Sequence, residues 1–278
     1  MSFDLSNVIS AASEFKPQRS LVYGVPGIGK TVFGCTFEKP ILLRVEDGAA
    51  AIDVATFPKL IENYAELMEA LSALHGQEHD FKTLVLDSLD WLEPIVWAQT
   101  VTRLNADRDR PLESIEGVGY GKGYVEAEQE WRNVLGWLDA LRLNRGMAIV
   151  LIAHAEIKRH EPPDGDPFDR YQIKLHKRAW ALWQEWADMV LFANYRKRTI
   201  KTKDGGKSGQ DKFRAEGAGE RCLYTDERPA YVAKNHWSLP HEIFVGQDKT
   251  WRPFHEALNQ ATGGKYALPS TLNSKEAA

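Results

Sequence analysis

The sequence predicts an α/β fold in which a mainly parallel sheet is flanked by helices. Short apolar runs alternate with longer stretches of helical periodicity, which is the rhythm of parallel strands joined by crossover helices. A glycine-rich motif that is typical of phosphate binding joins the first apolar run to a helix-forming stretch. The chain has 278 residues, of which 43% are apolar, so it can bury a sizeable core.

Five apolar segments are predicted to form the strands of this sheet: 20–23, 41–45, 83–87, 147–153 and 188–194. Helices are expected between them, at 31–39, 63–75, 88–104 and 124–145. Tryptophans repeat every three residues at Trp180, Trp183 and Trp186, and we expect this stripe to lie in the core. Two further segments, 223–225 and 231–233, are expected to add edge strands.

The first predicted strand runs into a complete G-x-x-x-x-G-K-[ST] motif. Its residues are Gly24, Val25, Pro26, Gly27, Ile28, Gly29, Lys30 and Thr31. Backbone N–H groups of such a loop, together with the start of the next helix, favour an anion. Lys30 is expected to reach the outer phosphates of a nucleotide, and the Thr31 hydroxyl to hold Mg²⁺. The sequence therefore predicts ATP and Mg²⁺ as cofactors.

Polar side chains follow the next three predicted strands along the chain. Glu46 comes after the second strand, Asp87 closes the third and His154 follows the fourth. Ligands of parallel α/β sheets bind beyond the carboxyl ends of the strands. Asp87 is thus a predicted Mg²⁺ ligand, Glu46 a group that polarises the attacking water, and His154 a sensor of the γ-phosphate. Ordinary roles stay open, namely a helix N-cap, a solvated charge and a structural histidine.

These residues resemble the RecA-like ATPases, and among them the small phage-encoded, core-only ATP-binding proteins that act as single-strand annealing recombinases. The resemblance runs from about Arg19 to Val245. Its anchors are 24–31, 45–48, 84–88, 151–154 and 233–235. In that family Glu46 matches the catalytic carboxylate and His154 the γ-phosphate sensor.

The resemblance also implies a residue that acts on the neighbouring subunit. Lys234-Asn235-His236 is similar to a Lys-Asn-Arg element whose basic residues reach the neighbour's nucleotide. His236 stands where the family has arginine, which leaves Lys234 as the candidate finger in trans and puts strong hydrolysis in doubt. The resemblance thus implies a homo-oligomer, either a ring or a filament.

Two segments match the loops that bind single-stranded DNA in RecA-like proteins. The first is 105–124, with Tyr120 and Lys122, and the second is 156–178. The second segment carries six basic residues, Lys158, Arg159, Arg170, Lys174, Lys177 and Arg178. With Tyr120, Tyr124, Phe168 and Tyr171, they could combine phosphate neutralisation with base stacking. Ordinary surface loops are the open alternative.

Charge and composition set the remaining expectations. Residues 1–150 hold 14 Lys and Arg against 22 Asp and Glu, whereas the rest of the chain is net positive, which permits a basic working face. Two widely separated cysteines, Cys35 and Cys222, favour neither a disulfide scaffold nor a zinc site. The absence of an 18-residue apolar run predicts no membrane span, and the expected location is the cytoplasm, that of a bacterial host if the protein is phage-encoded.

The expected organisation is an N-terminal arm (1–18), a RecA-like ATPase core (19–258) and a disordered tail (259–278). A flexible basic insert (199–220) lies within a hydrophilic stretch from 196 to 221, whose Asp204-Gly205-Gly206-Lys207 suggests a hairpin tip.

The function hypothesis is an ATPase that oligomerises on single-stranded DNA and promotes annealing or strand exchange in phage recombination, with a single-strand-binding protein as a further partner. Its turnover is expected to be weak and stimulated by DNA. A small-molecule phosphotransferase is the first alternative, with the basic segment after His154 serving as a lid. A RecA-type motor or loader that acts on another protein is the second.

Overall fold

The computed structural model describes residues 15–48, 52–196, 198–202, 212–216, 219–245 and 250–272. Within these ranges, the helices are all too short or too polar to cross a membrane.

A ten-stranded, mostly parallel sheet forms the centre of the molecule. Its main path has the strand order β12-β10-β7-β1-β5-β4-β2-β3. The strands on this path are β1 (Arg19–Gly24), β2 (Pro40–Arg44), β3 (Ala55–Thr56), β4 (Thr83–Asp87), β5 (Ala148–His160), β7 (Met189–Tyr195), β10 (Arg221–Tyr224) and β12 (Glu242–Val245). Off the path, β6 (Phe168–Ile173) pairs with β5, and β11 (Lys234–Asn235) pairs with β7.

Helices cover both faces of the sheet and enclose two hydrophobic cores. The larger core lies under α2 (Tyr64–Gly76), α3 (Leu89–Asn105), α5 (Glu128–Asn144) and α6 (Lys177–Trp186), and α4 (Lys122–Glu126) precedes α5. The smaller core lies under α1 (Lys30–Cys35) and α7 (Arg252–Ala261). Side chains of β1 alternate between the two cores, so the central strands are buried on both faces, as parallel strands require.

The five strands predicted for the parallel sheet are confirmed, with one important difference. The fourth, β5, does not stop at His154 but continues to His160, where it forms an antiparallel hairpin with β6. The second predicted DNA-binding loop is therefore largely a β-hairpin. The pairing of β5 with β4 ends at Ile152 and that with β1 ends at His154. From Ala155 onward, β5 pairs with β6 instead, which allows the strand to continue.

Three smaller predictions need correction. The first helix ends at Cys35 rather than residue 39, and the helix expected at 124–145 is divided at Ala127 into α4 and α5. The segment 231–233 forms no strand, only isolated bridges at Tyr231. In the basic insert, β8 (Arg198–Thr202) and β9 (Lys212–Glu216) pair antiparallel, whereas the predicted tip at 204–207 lies outside the described residues.

The expectation of a disordered tail from residue 259 is wrong for the part of it that is described. The chain from α7 to Leu272 packs against α1, and Tyr266 and Leu272 are buried. Tyr266 Oη lies 2.6 Å from His255 Nδ1, and the other ring nitrogen of His255 lies 2.8 Å from Thr36 Oγ1. Burial lowers the pKa of His255 to about 3, so the ring is neutral and serves as a packed, hydrogen-bonded part of this core. Residues 273–278 lie outside the described range.

Close packing of α1 on the sheet yields a stability prediction. A Cβ on Gly34 would lie 2.6 Å from Val85 Cγ1, whereas a Cβ on Gly136, which is exposed in α5, would meet nothing within 4 Å. Gly34→Ala should therefore destabilise the fold by about 1–3 kcal/mol through overpacking. Gly136→Ala, the matched control, should stabilise it by about 0.5–1 kcal/mol through helix propensity. Urea unfolding of both variants measures whether the free energy of unfolding changes in opposite directions. Equal changes in the two variants would contradict the close packing of α1 on the sheet.

Candidate functional site

The phosphate-loop motif joins the carboxyl end of β1 to the start of α1. Gly27 and Gly29 have φ angles of 73° and 100°, which glycine adopts without steric cost. Lys30 is only 6% exposed, and its Nζ donates to the carbonyl oxygens of Gly24 and Val25, both at 3.2 Å. Burial lowers the Lys30 pKa, an effect that Asp87, Asp90 and Glu46 oppose by their charge. The Lys30 ammonium is thus bonded to loop carbonyl oxygens and lies within the electrostatic influence of three carboxylates.

Asp87 joins the end of β4 to the phosphate loop. The Thr31 hydroxyl donates a 2.7 Å hydrogen bond to Asp87 Oδ2, and the residue is 4% exposed. Burial raises the Asp87 pKa, while the Thr31 hydrogen bond and the nearby Lys30 charge act in the opposite direction. Because it is buried, Asp87 needs a cation close by to stay ionised at low cost. The peptide bond between Asp87 and Ser88 is cis.

Thr31 and Asp87 fit a magnesium ion as residues that share its coordination with phosphates. Both offer oxygen, which is the ligand Mg²⁺ prefers, and in proteins Mg²⁺ is usually held by one or two carboxylates together with waters and substrate phosphates. Among the described residues, no group of three or more His, Cys, Asp or Glu side chains could hold a metal ion unaided. When bound, the ion would neutralise phosphate charge between Thr31 and Asp87.

His154 lies between two carboxylates at the same edge of the sheet. Its Nδ1 is 2.9 Å from Asp90 Oδ2, and its backbone N–H donates to Asp90 Oδ1 at 3.0 Å. Its Nε2 is 3.9 Å from Glu46 Oε1. Asp90 therefore fixes the imidazole at one nitrogen and directs the other nitrogen toward Glu46, as a carboxylate that orients a functional histidine does.

The pKa values of these three groups are shifted by one another and by burial. The hydrogen bond to Asp90 raises the His154 pKa, which burial and the Lys30 charge oppose. Burial would raise the pKa of Asp90, but hydrogen bonds from the side chain and backbone of His154 outweigh it and lower that pKa. Burial raises the pKa of Glu46, in part against the charge of His154. The arrangement favours an imidazolium and a comparatively basic Glu46.

The strand register explains why these residues meet. Gly24 of β1 is paired with His154 of β5, and Arg44 of β2 is paired with Asp87 of β4. Because β5 lies between β1 and β4, its His154 stands between the phosphate loop and the carboxylates that follow β2 and β4. The expected grouping of Glu46, Asp87 and His154 around the loop is therefore what the structure contains.

Asp90 is the member of the site that the sequence analysis missed. It lies in the first turn of α3, where an acidic residue is an ordinary partner of the helix dipole. The available signal was its spacing, three residues after Asp87, which places both carboxylates on one side of the strand-to-helix turn. Only the register of β5 shows that its partner is His154.

Comparison with known families agrees with this geometry. A family model described as an AAA domain (AAA_24) matches residues 16–237, which is most of the chain and contains every residue of the site. This chain belongs to that AAA-domain family. It therefore carries an AAA-type P-loop ATPase domain. A search of curated proteins gives no match.

Lys234 lies away from the phosphate loop of this AAA domain. It is paired with Val190 near the start of β7, at the opposite edge of the sheet from the carboxyl end of β1. Its Nζ donates to three carbonyl oxygens at the end of α6, those of Gln184 at 2.8 Å, Glu185 at 3.1 Å and Ala187 at 2.8 Å. It thus caps a helix C-terminus within its own subunit. Its role as a finger in trans stays a prediction, and such a role would require it to leave these carbonyls.

The seven predicted DNA-binding side chains all lie on the surface of the domain: Tyr120, Lys122, Lys158, Arg159, Lys174, Lys177 and Arg178. Three of the basic residues form ion pairs, Lys158 with Glu156 at 2.6 Å, Arg159 with Asp169 at 3.8 Å and Arg178 with Glu128 at 2.9 Å. Lys122, Lys174 and Lys177 form no ion pair with another described residue. These three lysines are the ones most open to an external anion.

Three other side chains that the sequence analysis placed at the DNA surface are engaged elsewhere. Arg170 is buried and pairs with Glu227 at 2.8 Å. Tyr171 packs against Phe192 of the core, with ring centroids 5.0 Å apart. Phe168 contacts His160 across the hairpin, at 5.2 Å. The expectation of an available arginine at residue 170 is therefore wrong, because its side chain is buried and paired with Glu227.

Removing the loop ammonium should remove nucleotide binding. Lys30→Ala is expected to weaken MgATP affinity by about 100-fold or more, because a charged hydrogen-bonding group at the phosphates is lost. Isothermal titration calorimetry checks this, and the melting temperature without nucleotide reports whether the fold is intact. Lys39→Ala, an exposed lysine at the other edge of the sheet, is the control and should bind as the parent does. Unchanged affinity in Lys30→Ala would refute the assignment of the loop.

Replacing Glu46 should separate binding from turnover. If Glu46 accepts a proton from the attacking water, Glu46→Gln should retain MgATP and lower the turnover rate by at least about 10²-fold. Since the pKa of Glu46 is raised, turnover in the parent should fall as the pH is lowered through that pKa, where the carboxylate becomes protonated. Asp47→Asn, an exposed neighbour, is the control. If Asp47→Asn lowers the turnover rate and Glu46→Gln does not, the proton acceptor is Asp47 rather than Glu46.

Proposed function

We propose that this chain is a RecA-like ATPase that assembles on single-stranded DNA and promotes annealing or strand exchange. The observation that carries the proposal is that the two candidate DNA-binding segments meet on one surface. The Tyr124 ring, at the end of the first segment, stacks on His176 of the second, with centroids 4.0 Å apart and planes 16° apart. Exposed lysines lie within two residues of each ring in sequence, Lys122 near Tyr124 and Lys174 and Lys177 near His176.

Tyr120 has the properties of a stacking residue at this surface. It is fully exposed, with a φ of 50°, between two glycines that also have positive φ angles, Gly119 at 81° and Gly121 at 69°. Its ring is held out in solvent, and bases of single strands stack on exposed aromatic rings. Together with Lys122, Lys174 and Lys177, it would combine stacking with phosphate neutralisation.

The same elements connect this surface to the nucleotide site. The His154 carbonyl oxygen accepts a hydrogen bond from the Lys174 backbone N–H at 2.9 Å. On α3, Asp90 holds His154, and Glu93, one turn later, accepts the His176 backbone N–H at 3.0 Å and 3.1 Å. A change in His154 when the γ-phosphate leaves would therefore reach the C-terminal end of the second segment, directly at Lys174 and through α3 at His176.

Hydrolysis in this proposal uses the groups described above. Lys30 and the loop N–H groups hold the phosphates, and Glu46 accepts a proton from the attacking water. The hydrogen bond to Asp90 raises the pKa of His154, and in its protonated form His154 donates from Nε2 to the γ-phosphate and loses that partner when the phosphate departs. Each subunit would meet its neighbour's nucleotide through the face that carries Lys234.

The phosphotransferase and the protein-directed motor remain the competing functions. The first predicts phosphate transfer to a metabolite, with the β5–β6 hairpin acting as a lid. The second predicts turnover that a protein stimulates without DNA affinity. The ATPase rate measured with and without single-stranded DNA separates the three, because only the proposed function predicts stimulation by DNA. A rate unchanged by saturating DNA would overturn the proposal.

Two lysines that form no ion pair with another described residue should account for part of the salt dependence of DNA binding. Each phosphate contact on a single strand contributes a slope of about 0.7 log units of affinity per log unit of salt. Lys174→Ala with Lys177→Ala should therefore lower the slope by up to about 1.4 units while MgATP affinity is unchanged. Fluorescence anisotropy with a labelled oligonucleotide between 50 and 300 mM salt, about the range usual for such titrations, measures it.

The matched control is Lys39→Ala with Lys82→Ala. These exposed lysines lie just before β2 and β4, at the opposite edge of the sheet, and removing them makes the same change in net charge. The control pair should leave the slope unchanged. If the two double variants behave alike, the basic hairpin is only a solvated surface.

Loss of the exposed ring should affect DNA binding differently. Tyr120→Ala is expected to weaken affinity for a single strand by about 5- to 100-fold, since stacking contributes about 1–3 kcal/mol per base. The salt slope should stay the same, because a neutral ring releases no counterion. The anisotropy titration described above distinguishes this result from a lost ion contact. A changed slope at constant affinity would exclude stacking.

A further inference from the structure

The phosphate loop has two flanks that differ in chemistry. On one side lie His154 of β5, where its pairing with β1 ends, Asp87 at the end of β4 and the segment after β2 that carries Glu46. On the other side lie β7, β10 and β12. Their register places Tyr195, Arg221 and Val245 side by side at the same edge of the sheet. Arg221 therefore projects a guanidinium on the flank away from the carboxylates.

Arg221 contacts the loop itself. A Cβ placed on Gly29 would lie 3.2 Å from Arg221 Nη1 and 3.6 Å from Trp251 Cζ2, so the guanidinium and the indole are packed against this glycine. Arg221 lies on the same face of β10 as Leu223, which belongs to the core under α1. Glycine at residue 29 allows this close approach as well as its positive φ.

The Arg221 guanidinium is incompletely satisfied. Its Nη1 is buried and has no hydrogen-bond partner among the described residues, although the whole residue is half-exposed. A buried cationic donor without a partner is costly, and such groups in native proteins usually mark a site that a ligand or water completes. The adjacent Trp251 Nε1 is also buried without a partner in the described part of the chain.

The orientation of a bound nucleotide follows from the two flanks. Thr31 and Asp87 define where the outer phosphates and their cation lie, and Glu46 and His154 stand beyond them. The α-phosphate and the nucleoside must then extend from the loop toward the other flank. The group found on that flank, next to Gly29, is the guanidinium of Arg221.

We propose that Arg221 binds the α-phosphate end of the nucleotide within its own subunit. The proposal rests on the nucleotide site described above and adds a second cationic residue to it. Guanidinium is suited to this role because its planar donors match phosphate oxygens in pairs. Since ATP and ADP share the α-phosphate, Arg221 should bind both nucleotides equally and take no part in turnover.

Calorimetry with MgATP and MgADP on the full chain tests this. Arg221→Met should weaken the affinity for both nucleotides by the same factor, about 10- to 100-fold, which is the loss expected for a charged hydrogen bond. The turnover rate at saturating MgATP should stay within about twofold of the parent, because no contact made only in the transition state is lost. Without nucleotide, the variant should melt no lower than the parent, since methionine removes a buried unpartnered donor and retains most of the volume.

Arg196→Ala provides the matched control. Arg196 adjoins Tyr195 in the chain, but its guanidinium lies over the Phe244 ring, with 4.4 Å between them, and 3.7 Å from Glu220. Removing it changes the net charge by the same amount near the same edge of the sheet. It should bind both nucleotides as the parent does. If Arg196→Ala and Arg221→Met lose the same amount of nucleotide affinity, the effect comes from net charge rather than from a contact of Arg221, and the proposal is overturned.

Three other outcomes would also overturn it. Parental affinity in Arg221→Met would show that the guanidinium makes no contact, and a loss for MgATP alone would place it at the γ-phosphate instead. If Arg221→Met fails to fold, Arg221→Gln, which is uncharged but still polar, provides the comparison, and parental affinity in that variant refutes the contact. A parent that binds neither nucleotide would instead refute the nucleotide site as a whole.

Discussion

The site depends on one constraint, which is that β5 lies between β1 and β4 in a parallel sheet. Parallel strands bring their carboxyl ends to a common edge, so the phosphate loop, His154 and Asp87 arrive there from segments more than fifty residues apart. Burial on both faces leaves these ends little freedom to move. The Thr31–Asp87 hydrogen bond then fixes the start of α1 against β4. Each polar group at this edge is held by a neighbour that also belongs to the edge.

Burial of several charges at one edge requires that they compensate one another. Lys30 lies among Asp87, Asp90 and Glu46, and the hydrogen bond from Asp90 shifts His154 toward its protonated form. When His154 is protonated, two cations face three carboxylates before any ligand is considered. A nucleotide with its metal changes that balance, so nucleotide binding and the protonation of this cluster are coupled. The raised pKa of Glu46 is one expression of the same balance.

The sequence was sufficient for the parallel strands and for the site residues that follow them. Buried strands are continuous apolar runs, and the loop motif has a fixed spacing, so both are local signals. Asp90 and Arg221 were missed because their roles depend on strand order and on antiparallel register, which no local pattern encodes. The packed tail was missed for the same reason, since Tyr266 is a lone aromatic until His255 and α1 surround it. The hairpin beyond His154 is a further case, because its exposed residues alternate without a clear apolar period.

Helix α3 shows how a nucleotide signal can cross the domain without a separate hinge. Asp90 and Glu93 are three residues apart and lie on one face, where one holds His154 and the other holds the backbone at His176. Burial raises the pKa of Glu93 to about 7, against the hydrogen bonds from His176, so the carboxylate that holds the start of α6 is near its own titration point. The ionised carboxylate offers both oxygens to the His176 N–H, whereas the protonated form carries a hydroxyl on one of them. Helix α3 therefore connects His154 at the phosphate-loop edge to the backbone at the start of α6, and in the proposed function this is the route by which loss of the γ-phosphate would be transmitted to the candidate DNA-binding surface.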